Sequence, residues 1–135
     1  MNQYMLDTNI ASHLLKGHPM VARRVVATPM AALCISAITA AEMLFGLAQR
    51  PEAKRLHLAV RELLRRVDVL PWNAAIAERY GVVRADMERQ GRTLAPLDLL
   101  IAAHALGANA VLVSNDRAFG HVAELRLEDW TILVA

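Results

Sequence analysis

Tyr4-Met5-Leu6-Asp7-Thr8-Asn9 joins a short apolar run to a carboxylate and two small polar residues. The apolar run reads as a buried strand, and the Asp-Thr-Asn that follows is the chemistry that starts helices. A single acid after a strand-like run, or early in a helix-like one, recurs in Thr39-Ala40-Ala41-Glu42, Ala95-Pro96-Leu97-Asp98 and Val113-Ser114-Asn115-Asp116. Strand-like and helical runs alternate along the whole chain, which predicts an α/β fold with a parallel sheet. The carboxyl ends of parallel strands share one edge, where open α/β sheets bind their ligands. Asp7, Glu42, Asp98 and Asp116 are therefore predicted to gather at that edge. Four carboxylates repel one another unless a cation lies among them, and a hard, oxygen-ligated ion such as Mg²⁺ or Mn²⁺ suits them best. An acidic Mg²⁺ site points to phosphate-ester chemistry.

Working outward, strands are predicted over residues 3–6, 33–36, 67–70 and 110–113, with an edge strand over 131–134. Helices are predicted over 9–16, 20–27, 38–49, 52–66, 73–90 and 96–106, with a single turn at 116–119. Gly17, Gly91 and Gly107 are placed as helix caps, and Pro96 fits the first position of its helix. Leu56, Val60, Leu63 and Val67 share one helical face, as do Ile76, Tyr80, Val83 and Met87. With 135 residues, the chain is predicted to be one domain over 1–135.

An apolar fraction of 56% against 21% charged residues excludes a disordered chain. The net charge of +2 is too small to imply nucleic-acid binding by itself. Only Lys16 and Lys54 are lysines among 15 basic residues, and arginine suits bidentate phosphate contacts. A GC-rich coding sequence explains the same bias equally well. Cys34 is the single cysteine, which excludes an internal disulfide, and its apolar neighbours predict a buried, inert thiol. No basic-then-apolar leader opens the sequence, and the longest uncharged run, 25–41, contains Pro29 and falls short of the ~20 residues of a membrane span. A soluble cytoplasmic protein is expected.

Each acid also has a plainer reading. Asp7 serves as a helix N-cap, with Thr8 or Asn9 able to take that role instead. Glu42 closes a capping-box pattern, but Ser36 or Ala37 better marks that helix start and places Glu42 inside it, on a face with Ile38 and Phe45. Asp98 complements a helix dipole, although its flanks are wholly apolar. Asp116 suits a turn. The four together say more than any one. The chain has no His or Cys set at metal-ligand spacing, no Gly-rich phosphate loop and no nucleophile elbow. His104, in an apolar helix, is read as a hydrogen-bonded core histidine.

Met5-Leu6-Asp7-Thr8-Asn9, Ser36-Ala37-Ile38-Thr39-Ala40-Ala41-Glu42-Met43, Gly91-Arg92 with Pro96-Leu97-Asp98-Leu99-Leu100-Ile101-Ala102-Ala103-His104-Ala105, and Val113-Ser114-Asn115-Asp116 with Phe119 resemble PIN-domain ribonucleases. The closest likeness is to the VapC toxins of bacterial type II toxin–antitoxin pairs, and it extends to Leu127-Glu128-Asp129-Trp130. The resemblance implies a three-layer α/β/α sandwich around a short parallel sheet, and a Mg²⁺- or Mn²⁺-dependent endoribonuclease. It makes Asp7 and Asp98 the direct metal ligands, with Glu42 and Asp116 the other two catalytic acids. It sets Thr8 or Asn9, and Ser114 or Asn115, near the site. It implies RNA, tRNA among the possible targets, as substrate. A cognate antitoxin and a homodimer are the implied partners, and Leu14 and Leu15, expected to be exposed, are candidate contacts for either. Arg92 and Arg117 are the candidate phosphate-binding arginines. Ala95-Pro96-Leu97 departs from the family's commoner glycine-containing approach to the third acid. Two other readings stand beside this one: a PIN-type nuclease of RNA maturation, and a phosphate-signalling module or Asp-nucleophile phosphatase. The absence of any lysine after Lys54 weighs against the latter.

Overall fold

A computed structural model describes residues 2–133. Five strands, β1 (Tyr4–Leu6), β2 (Leu33–Ser36), β3 (Asp68–Leu70), β4 (Val111–Val113) and β5 (Leu127–Glu128), form one sheet in the order β3-β2-β1-β4-β5. All four pairings are parallel, with Met5 opposite both Cys34 and Leu112. The helices are α1 (Thr8–Leu15), α2 (Pro19–Val26), α3 (Ala37–Gln49), α4 (Lys54–Arg66), α5 (Ala74–Arg89) and α6 (Pro96–Gly107).

Side chains alternate across a strand, so the central strands feed two cores. Leu6, Leu33, Ile35 and Val113 pack with Ile10, Val21, Met43 and Val60 from α1 to α4 on one face. Met5, Cys34 and Leu112 pack with Val83, Met87 and Ile101 from α5 and α6 on the other. The result is the expected α/β/α sandwich. Both predicted helical stripes face these cores: Val60 and Val67 are buried on one side, and Ile76, Val83 and Met87 on the other. The Cys34 thiol is fully buried, and burial, with Asp68 adding to it, pushes its pKa up to about 12. Among the described residues no helix is long and apolar enough to cross a membrane.

Three expectations need correction. The sheet edge lies at Leu127–Glu128, and not at 131–134, of which residue 134 is outside the described residues. The Asp129 carboxylate accepts from the Thr131 N–H (2.8 Å) and hydroxyl (2.5 Å), and this turn ends the extended run. Gly107 is not a cap. It is the last residue of α6, Ala108 is the cap, and the left-handed residue is Asn109 (φ 53°). A Cβ on Gly107 would meet the tip of the Ile76 side chain, which would have to shift, so α5 approaches α6 closely here. Leu14 and Leu15 are half-buried rather than exposed, and they line an apolar groove of about 500 Å³ with Val25, Met30 and Leu63. Gly91 (φ 68°) is the cap expected of it: its N–H donates to Glu88 and the next N–H to Met87.

Trp130 closes the first core. It is 1% exposed, its ring centroid is 5.4 Å from that of Tyr4, and its indole N–H donates to Glu128 at 2.9 Å. Arg24 stacks 5.1 Å above the ring and pairs with Glu128 at 3.0 Å. Trp130→Ala is expected to lower stability by about 3–5 kcal/mol through lost burial and the cavity left behind. Urea denaturation of the two proteins checks this, and an unchanged midpoint would show that the C-terminal segment adds nothing to the core.

Candidate active site

Asp7 sits where β1 becomes α1. Its N–H continues the ladder to the Val113 carbonyl at 3.0 Å, so the backbone is still tied to the sheet. One residue later the helix begins, and Asp7 Oδ1 accepts the Ile10 N–H at 2.8 Å as the N-cap. The side chain is 2% exposed. Burial raises its pKa, with the Asp116 and Glu42 charges adding to the rise, while the Ser114 hydroxyl and the Ile10 N–H oppose it. One carboxylate thus caps a helix and faces other carboxylates.

β2 delivers the second acid through the Ser36 cap, whose Oγ accepts the Ile38 N–H at 3.1 Å. The helix therefore starts at Ala37, and Glu42 lies in its second turn, as the sequence suggests. Glu42 is half-buried, and its Oε1 accepts the Thr8 hydroxyl at 2.6 Å, with the buried Thr39 hydroxyl 3.3 Å from Thr8. Thr8, at the first position of α1, thereby links the acid of α3 to the turn that holds Asp7. Asn9 and Asn115 are exposed, whereas Ser114 is buried and its Oγ accepts the Asp116 N–H at 3.0 Å.

Pro96 opens α6 and Asp98 lies in its first turn, where the helix dipole favours a negative charge. Yet the Asp98 pKa is raised to about 6, first by burial and then by the charges of Asp7, Asp116 and Glu42. Each of the other three acids is therefore near enough for its charge to be felt at Asp98. Asp116, after β4, caps the 3₁₀ turn Arg117–His121 through the Ala118 N–H at 2.9 Å. Among the described residues, none of the four acids is in an ion pair, and Asp98 has no side-chain hydrogen bond.

That donor set is all oxygen, anionic and uncompensated, which fits a hard divalent cation. Among the described residues no three His, Cys, Asp or Glu side chains converge as a ready coordination sphere. Mg²⁺ does not require one, since it keeps several waters and binds through one or two carboxylates. Asp7 and Asp98 would be those two.

Two further groups support the site. Thr39, fully buried, belongs to the Thr8–Glu42 contact. His104 and Ser36 are 2.7 Å apart in the interior, tying α6 to the start of α3, and burial lowers the His104 pKa. His104 is thus the hydrogen-bonded core histidine expected. Its partner was not legible, because Ser36 and His104 are distant in sequence and only packing joins them. Of the two candidate arginines, Arg92 donates to His121 Nε2 at 3.0 Å, and Arg117 is exposed beside Asp116.

Comparison with known proteins bears on this geometry. The profile of the PIN domain family matches residues 4–125. The tRNA(fMet)-specific endonuclease VapC of Shigella flexneri is 38% identical over 133 residues, covering 97% of this chain and 100% of that protein. Ribonuclease VapC1 of Haemophilus influenzae strain R2866 is 39% identical over 95% of this chain and 98% of its own length. The DNA-bound VapBC crystal structure from Salmonella typhimurium holds a similar chain, with a TM-score of 0.89 at 32% identity, covering 96% of this chain and 99% of that one.

Proposed function

The chain belongs to the PIN domain family and to its VapC ribonucleases, and from that premise we propose that it is a Mg²⁺-dependent endoribonuclease acting as the toxin of a type II toxin–antitoxin pair. The observation that carries the metal-dependent reading is the grouping of Asp98 with Asp7, Asp116 and Glu42, whose charges, after burial, raise its pKa, while among the described residues none of the four is in an ion pair. Transfer RNA is the substrate class we favour, given that a relative covering nearly the whole chain is named for tRNA(fMet). When bound, the ion would acidify a water and offset negative charge on the phosphoryl oxygens. Asp7 and Asp98 would hold it. Glu42, oriented by the Thr8 hydroxyl, and Asp116, oriented by its turn, would position the attacking water, one of them taking its proton. An antitoxin is the expected partner, since similar chains are found in VapBC complexes. The apolar groove beside Leu14, Leu15, Val25 and Met30 offers it a docking surface.

Purified protein incubated with total cellular RNA in Mg²⁺, and again in EDTA, tests the reading. Discrete fragments formed only with Mg²⁺ are expected, with their ends mapping to tRNA. Equal cleavage in EDTA, or none by folded antitoxin-free protein, would overturn it.

A further inference from the structure

We propose that the groove between α5 and the start of α6 is a second RNA subsite, which holds unpaired nucleotides next to the cut. This rests on the ribonuclease reading and extends it to substrate selection. The groove has a volume of about 360 Å³ and is lined by Tyr80, Arg84, Arg92, Thr93, Pro96 and Leu99, among others. Pro96 and Leu99 stand in the same helical turn as Asp98, so the groove opens within a turn of the acidic site. Arg92 of the groove is held by His121, the last residue of the turn that Asp116 caps, so the groove adjoins elements that carry two of the acids, and a strand with its phosphate at Asp98 would bring its next nucleotides towards it.

The lining has the chemistry that single-stranded RNA requires. Arg84 Nη1 donates to the Tyr80 hydroxyl at 3.1 Å, and its Nε pairs with Glu88 at 3.4 Å. Arg92 is held by His121 at 3.0 Å. Two arginines are thus pre-oriented at the rim, where phosphates run, with only Glu88 opposing them in the lining. Between them, Tyr80 and the apolar Leu94, Pro96 and Leu99 form the wall. Trp72 packs edge-on to Tyr80, with ring centroids 6.3 Å apart, and is itself fixed by an indole bond to the Leu100 carbonyl at 3.0 Å. A tyrosine ring supported from behind and flanked by arginines suits a splayed base with phosphates on either side. The four carboxylates have no such selectivity, because every phosphodiester looks alike to a metal site. Loop selection falls to surfaces of this kind.

The test separates this groove from the chemistry by measuring binding without cleavage. A fluorescein-labelled RNA hairpin with an unpaired loop is titrated in EDTA with wild type, Arg84→Gln/Arg92→Gln, Tyr80→Leu and Arg84→Lys. The double variant is expected to bind at least about tenfold more weakly, with the salt dependence of log K falling by about 1.4 for two lost single-strand phosphate contacts. Tyr80→Leu should cost at least about fivefold through lost stacking. Arg84→Lys should keep most of the affinity. Of the three residues changed, Arg84 and Arg92 are exposed and Tyr80 is half-buried, and thermal midpoints within a few degrees of wild type establish that the variants are folded. In Mg²⁺, KM should rise in parallel with kcat nearly unchanged. Equal RNA affinity for wild type and the double variant overturns the proposal. So does loss of a dimer with RNA affinity intact, which would make the groove a contact between two copies. If wild type cuts RNA and the double variant cuts with the same KM, the groove fails and the ribonuclease reading stands. If the variants bind RNA more weakly but wild type cuts nothing, the groove stands and the ribonuclease reading fails.

Discussion

Asp7→Asn should give a folded protein that cuts RNA at least about 10³-fold more slowly than wild type, a loss at the upper end of what removing one charge-stabilising group costs. Two roles of Asp7 make the substitution informative. As N-cap, it needs an oxygen to accept the Ile10 N–H, and asparagine supplies one nearly as well as aspartate. As a metal ligand it needs its charge, which asparagine lacks. Folding and activity therefore separate. Asp7→Ala removes both roles and should cost about 1 kcal/mol of stability besides. In the metal-free protein at neutral pH, Asp7→Asn should be no less stable than wild type, since it removes a charge that burial and neighbouring carboxylates disfavour. Cleavage assays beside thermal melts of the three proteins check this. Metal-dependent cleavage at wild-type rate by Asp7→Asn would remove Asp7 from the site.

The second large effect is a pH-dependent stabilisation by Mg²⁺. The Asp98 pKa is raised from 3.8 to about 6. Between about pH 4 and 6, the native state of the metal-free protein therefore holds a proton that the unfolded chain has released. Stability from neutral Asp98 is full below about pH 4 and is lost as pH rises through about 6. Metal binding needs the ionised form, so its contribution runs the other way and grows above pH 6. At pH 7.5, Mg²⁺ at about 100 times its dissociation constant should add about 2.7 kcal/mol. For a chain of this size that is about 8–10 °C in Tm. The same Mg²⁺ concentration at pH 5 should give a much smaller shift, and Asp98→Asn should give almost none at either pH. A shift of equal size in wild type and Asp98→Asn would place the ion elsewhere.

Much of this architecture was legible from local pattern. The apolar run at 4–6 and the stripes at Val60 and Val67, and at Ile76, Val83 and Met87, show which faces are buried, because burial follows the 2.0 and 3.6 residue periods. Ser36 or Ala37 was legible as the start of its helix, which placed Glu42 inside that helix and not at the end. Gly107 was misread because the same residue type answers two needs, a left-handed backbone and a close helix contact. Only the position of Ile76 on the next helix distinguishes them. The edge strand was misplaced because residues 131–133 are apolar enough for a strand, whereas the Asp129 side chain turns the chain there.

The sequence by itself determined the order of the strands and helices, the apolar faces and the four acids placed at strand ends or early in helices, since each depends on neighbours along the chain. The tertiary structure decided how those acids act on one another. The charges of Asp7, Glu42 and Asp116 reach Asp98 only because the parallel order β3-β2-β1-β4-β5 brings the carboxyl ends of separate strands to one edge. It also decided that Thr8 orients Glu42 and that Ser36 meets His104. Coulomb energies and hydrogen bonds depend on distance in space, and no periodicity along the chain encodes the distance between residues that only packing makes neighbours.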